Sequence, residues 1–192
     1  MDAASHFGCE VSDPIKEQSI NLTANDFEIF QLPQRFGIDL MVLEQSWKAL
    51  QRQAHPDMHA QSHQAAQRLA MQWSVRVNEA YQRLKSPLKR AAYLCQLNGE
   101  SIDAETNTSM PSEFLFQQIE WREALDASQT PMDAEALLKE VKSSRNSLLA
   151  ECEQILDFAC DFHAAAAKVR ALMFVERFIQ AVMQRMDHLE RA

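Results

Sequence analysis

Apolar residues recur at helical spacing along most of this 192-residue chain. Leu43, Trp47 and Leu50 stand at i, i+4 and i+7, which places them on one helix face. Asp39 just ahead of them suits an N-cap, because its carboxylate accepts the free amides of a first turn. Lys48 and Arg52 fall on another face of the same helix, where solvent is expected. Pro56 pushes His55 out of the α region, so the helix must end before it. A polar stretch from Met58 to Gln64 predicts a loop. Leu69, Trp73, Val77, Ala80, Tyr81 and Leu84 then form a second stripe. Two striped helices joined by a short loop pack as an antiparallel hairpin. Upstream, Phe27, Ile29, Phe30 and Leu32 form a short apolar patch starting near Asn25 or Asp26, with Pro33 and Gly37 punctuating a loop. Downstream, Ser86-Pro87 reads as an N-cap with proline at the first helical position, opening a short helix that ends near Gly99.

Residues 99–112 are polar and aperiodic, which predicts a linker. Three further helices follow. One runs from about Ser112 to Asp126 with Phe114, Leu115, Ile119 and Leu125; one opens at Thr130-Pro131 and carries Leu137, Val141, Leu148, Cys152 and Ile155. The last, from about Asp161, carries Val169, Leu172, Val175, Ile179, Val182, Met186 and Leu189. Spacings of three and four throughout predict a three-helix bundle over 113–192.

Composition agrees with an all-α chain. Only three glycines and six prolines are present, too few for many strands and turns. The four cysteines form no C-x-x-C pair, and Cys152 and Cys160 sit in helical patterns where buried free thiols are common. A disulfide framework or zinc finger is not expected, and a reducing compartment is. No apolar run reaches the roughly 18 residues of a membrane span. Residues 1–24 carry four acidic residues, one lysine and no arginine, unlike a transit peptide, and read as a cytosolic acidic tail.

Charge divides the remainder. Residues 25–98 hold nine Lys/Arg against six Asp/Glu, whereas residues 99–192 hold nine against seventeen. A basic unit followed by an acidic one predicts two modules with different partners. The overall net charge of −8 argues against nucleic acid, whose phosphates need a concentrated basic face.

His55-Pro56-Asp57 lies between the first two long helices. Alone, it fits a proline turn with an aspartate capping the next segment. Its setting resembles a J domain: a histidine-proline-aspartate loop between a helix with exposed basic residues and an antiparallel partner, within about 75 residues. Asn78-Glu79-Ala80-Tyr81 and Leu84 match the asparagine, alanine and aromatic near the end of that partner helix. Ser86-Pro87-Leu88-Lys89-Arg90-Ala91-Ala92-Tyr93-Leu94, and then Phe114-Leu115-Phe116-Gln117-Gln118-Ile119-Glu120-Trp121-Arg122-Glu123, narrow the resemblance to the HscB family of iron–sulfur co-chaperones over residues 25–192.

The resemblance implies a J domain over 25–98 and a C-terminal three-helix domain over 113–192. His55, Pro56 and Asp57, with Lys48 and Arg52, would engage a DnaK/HscA-type chaperone and stimulate its ATPase. Asp57 suits charge-assisted hydrogen bonds from a partner arginine, and the basic pair suits steering. The C-terminal domain would bind the iron–sulfur scaffold protein IscU through Leu115, Phe116, Ile119, Glu120, Glu123 and Phe174. Leu115, Ile119 and Glu123 follow at i+4, making an apolar patch edged with carboxylates. Read from spacing alone, the same apolar residues also fit bundle core and the glutamates a solvated face. Two departures from the family stand out: Met58 replaces the lysine often found after the aspartate, and Ala127 replaces a frequent acidic residue.

His55, His59 and His63 recur every four residues, but Pro56 interrupts a helical face and no cysteine or carboxylate cluster accompanies them. No P-loop, G-x-S-x-G, Rossmann or H-E-x-x-H pattern occurs. The expectation is a monomeric adaptor rather than an enzyme, without metal, cofactor, nucleic-acid or membrane partner.

Overall fold

A computed structural model describes residues 23–53, 64–102 and 112–191. These form α1 (Asp26–Ile29), α2 (Leu40–Gln53), α3 (Gln64–Lys85), α4 (Pro87–Leu97), α5 (Ser112–Ala127), α6 (Pro131–Glu153) and α7 (Phe162–Arg191), with a π-helical turn, Gln154–Ala159, closing α6. No strand occurs among the described residues, so the fold is all-α.

Local chemistry sets the boundaries. The Asn25 side chain accepts the Glu28 amide while the Glu28 carboxylate accepts the Asn25 amide, a reciprocal cap that holds the one-turn α1. Asp39 accepts the amides of Met41 and Val42, as expected. Ser86 caps α4 ahead of Pro87, and Thr130 with Asp133 builds a second reciprocal cap before α6. Hydrogen bonds from the Thr130 side chain and amide hold the Asp133 carboxyl below its ordinary pKa.

Helices α2 and α3 form the expected hairpin. Leu43 and Leu50 face Trp73, Val77, Ala80 and Leu84, all buried. Trp47 stacks on Tyr81 with centroids 4.5 Å apart, and Asn78 accepts from both the Trp47 indole and the Gln51 amide. Leu69 departs from the expected stripe: it is 40% exposed, and Ala70 takes the buried position one residue on. At the start of α1, Asp26 is fully buried between Arg76 at 2.7 Å and Arg83 at 2.9 Å. Two guanidinium groups supply the compensation that a buried carboxylate requires.

In the C-terminal half, α6 and α7 run as a long antiparallel pair on which α5 lies. Trp121 is the anchor of α5: its ring stacks on Phe178 and its Nε1 donates to Glu140 at 2.8 Å. The two halves share one continuous apolar core, because α4 packs against both α6 and α7. Ile102, in the stretch read as polar linker, is buried, and its carbonyl accepts from Arg170. The π-helical turn adds a second tie. Both Asp157 carboxylate oxygens accept backbone amides from the loop before α2, from Phe36 at 2.5 Å and Gly37 at 2.7 Å.

Cys160 is exposed and left-handed (φ 53°), closing the π-helical turn rather than lying in a helix. Cys95 and Cys152 are buried free thiols where α4 meets α6. Burial pushes the Cys95 pKa up to about 11, with Glu100 adding to it, and the Cys152 pKa up to about 12, with Cys95 adding to it. Native protein treated with iodoacetamide at pH 8 should therefore be modified at Cys160 and spared at Cys95 and Cys152, as peptide mass spectrometry would read. Rapid Cys95 alkylation under a native circular dichroism spectrum would contradict this placement. Because both pKa values are raised on folding, the stability these thiols favour is complete below the ordinary thiol pKa of about 9 and is lost as pH climbs towards 11–12.

Candidate functional site

Two surfaces fit recognition of other proteins, one at each end of the chain. The first is the outer face of the α2–α3 hairpin. Lys48 and Arg52 are both exposed, one turn apart on α2, just before its last residue, Gln53. They are not equivalent. Lys48 pairs with Glu44 at 2.7 Å, and that hydrogen bond and charge lower the Glu44 pKa. Arg52 donates only to the Lys48 carbonyl and has no ion pair among the described residues. Among the described residues, Arg52 is the one of the two cations that has no ion pair. His55, Pro56, Asp57, His59 and His63 lie outside the described residues. Met71 and Val75, one turn apart on α3, are exposed and were not anticipated; their sequence signal is an i, i+4 apolar pair off the buried stripe.

The second surface is the outer face of α5. This helix is apolar on two sides. Phe114, Trp121 and Leu125 turn towards α6 and α7, whereas Leu115, Phe116 and Ile119 are 44%, 67% and 53% exposed. Glu120 and Glu123 are exposed on the same helix and have no ion pair among the described residues. The alternative that Leu115 and Ile119 belong to the bundle core is thereby excluded. Three large apolar side chains in water on one helix form the kind of patch that marks a binding surface. Phe174 differs from the rest of the set. It is half-buried on α7, edge-on to Phe114 at 5.9 Å, stacked on Phe178 at 6.0 Å, with the Arg122 guanidinium over its ring. It supports α5 from beneath more than it faces outward.

Among the described residues, no three His, Cys, Asp or Glu side chains group as a metal site, and no helix is long and apolar enough to cross a membrane.

Matches to known proteins extend over most of the chain. A family model described as the HSCB C-terminal oligomerisation domain matches residues 110–183. A co-chaperone protein HscB homolog of Burkholderia thailandensis is 44% identical over 175 residues, spanning 88% of this chain and 99% of that protein. Its Bordetella pertussis counterpart is 42% identical over 161 residues, spanning 83% and 95%. Among solved structures, the chaperone HscB from Vibrio cholerae superimposes with a TM-score of 0.74 at 31% identity, covering 86% of this chain and 99% of that one. The human co-chaperone protein HscB matches in fold, with a TM-score of 0.80 at 22% identity and 93% of each chain covered. Relatedness of this degree along nearly the whole length, on the same all-α architecture, places the chain in the HscB family of co-chaperones.

Proposed function

We propose that this co-chaperone is a two-ended adaptor of iron–sulfur assembly, with a J domain over 25–98, a linker over 99–112 and a client-binding domain over 113–192. The J-domain loop His55-Pro56-Asp57, with Arg52 and Lys48 beside it, engages a DnaK/HscA-type chaperone and stimulates its ATPase. The outer face of α5, formed by Leu115, Phe116, Ile119, Glu120 and Glu123 with Phe174 supporting it, holds the scaffold protein IscU. Joining both contacts on one body raises the effective concentration of client at the chaperone, and the chain itself breaks no covalent bond. The cytoplasm is the compartment that fits its free thiols. Family membership supports the chaperone end; the observation that carries the client end is the exposed apolar face of α5, bordered by carboxylates that have no ion pair among the described residues.

Steady-state ATPase assays with purified chaperone test the first contact. Asp57→Asn removes a charged acceptor worth about 1.5–3 kcal/mol when bonded to an arginine, so stimulation should fall roughly 10–100-fold. His55→Gln should fall alongside it. Stimulation at the wild-type level by either folded variant would rule the loop out. Titration calorimetry with IscU tests the second. Leu115→Ala and Ile119→Ala should each cost about 1–3 kcal/mol of binding if they are anchors. Unchanged affinity in the folded double variant would remove IscU as the client.

A further inference from the structure

Beside the outer face of α5 lies a groove of about 620 Å³, running between α5 and the α6–α7 pair. Its walls on the α5 side are Glu113, Phe116, Gln117 and Glu120, and its floor is Leu148, Ala167 and Ala171. Two features say what would fill it. The floor is apolar and small-chained, since Ala167 and Ala171 stand one turn apart on α7 and leave room for an incoming side chain. The charge is one-sided. Lys168, the cation at the groove, is already paired with Glu151 at 2.5 Å, whereas Glu113 and Glu120 have no ion pair among the described residues. A carboxylate wall over an apolar floor fits an apolar anchor flanked by a lysine or arginine.

We infer that the client does not stop at the outer face of α5 but also inserts an apolar side chain with an adjacent cation into this groove. This inference rests on the client contact proposed above and extends it to α6 and α7. Phe116 and Glu120 border both surfaces, so the two form one continuous site wrapped around α5. The groove then selects the client by the shape and charge of one anchor, while the outer face supplies apolar area.

The test is calorimetric titration of apo-IscU into the full chain and its variants at two salt concentrations. Ala167→Phe fills the groove and should weaken binding at least tenfold, whereas Ala167→Ser, which keeps the space, should stay within about twofold, for roughly 1.4 kcal/mol per factor of ten. Glu113→Lys lies at the exposed start of α5 and leaves the core untouched, so it remains informative if the filled variant misfolds. It should weaken binding several-fold and flatten the salt dependence. Wild-type affinity in folded Ala167→Phe or in Glu113→Lys, with Leu115→Ala and Ile119→Ala still weakened, overturns the groove and leaves the outer face as the contact. Wild-type affinity in every variant overturns both.

Discussion

Replacing Asp157 by alanine is expected to lower the melting temperature by roughly 6–20 °C, the largest single effect on how the two halves of the chain hold together. The carboxylate accepts two consecutive amides, of Phe36 and Gly37, about 120 positions away in sequence. Hydrogen bonds to an ionised acceptor contribute about 1.5–3 kcal/mol each, and removing the acceptor leaves the donors unpaired. Arg90 shares the same junction. It is buried under the Phe36 ring, donates to the Leu84 carbonyl, and has its pKa lowered by burial against the opposing pull of Asp157 and Glu153. Without Asp157 this buried cation keeps Glu153 alone, a situation that is costly in protein interiors. A loss of about 3–5 kcal/mol follows, at roughly 2–4 °C per kcal/mol for a chain of this size. Gly37 is part of the arrangement: a Cβ there would lie 2.9 Å from a Glu153 oxygen and 3.2 Å from an Asp157 oxygen. Gly37→Val should therefore act in the same direction. Differential scanning calorimetry reads both variants, and faster alkylation of Cys95 and Cys152 should accompany them as the junction opens. A melting temperature within about 2 °C of wild type for Asp157→Ala would show that the halves are held by apolar packing alone.

Neither this junction nor its strength is legible in the sequence. Asp157 sits in a helical pattern where an acidic residue ordinarily reads as solvated. Its role depends on a π-helical turn and on a left-handed, non-glycine Cys160, neither of which has a compositional signature. Ile102 misleads for a related reason: a single apolar residue in a polar stretch has no periodicity to betray its burial. The helices themselves are legible because their signals are local and redundant. Leu43 and Leu50 repeat at helical spacing, and Pro87 and Pro131 follow capping residues that the structure uses as caps. Leu69 marks the limit of that reading, since the spacing of three from Ala70 to Trp73 suits one helix face as well as the spacing of four from Leu69. At the candidate client site the ambiguity was sharper. A helix apolar on both sides, like α5, has no face that periodicity can assign to the core, so Leu115 and Ile119 stayed open until packing placed Trp121 inward and left them out. Phe174 is half-buried instead: Phe178 stacks on it from one turn along α7, and only the tertiary fold brings Phe114 of α5 against its edge.

That division of α5 into two apolar faces makes Trp121→Ala the variant that separates the two ends of the molecule. Trp121 is among the largest fully buried side chains and is the one fully buried residue of α5. Truncation removes its stacking on Phe178, its edge contact with Phe114 and the Nε1 hydrogen bond to Glu140. Such core truncations cost about 3–5 kcal/mol. Most of that loss should appear locally, because among the described residues α5 packs mainly on α6 and α7. Its amides should then exchange with solvent far faster while those of α3 and the centre of α7 stay protected. Undocking α5 scatters Leu115, Phe116 and Ile119, so IscU affinity should fall at least tenfold. Stimulation of the chaperone ATPase in the absence of client should stay near wild type, since Arg52 and the α2–α3 hairpin are untouched. Trp121→Phe keeps a ring against Phe178 and gives up the Glu140 hydrogen bond, so it should cost only about 1 kcal/mol and retain most of the binding. Normal client affinity in Trp121→Ala with demonstrably exposed α5 amides would mean that the client does not read α5 as a docked helix; parallel loss of client binding and client-free ATPase stimulation would mean that the two ends are not separable.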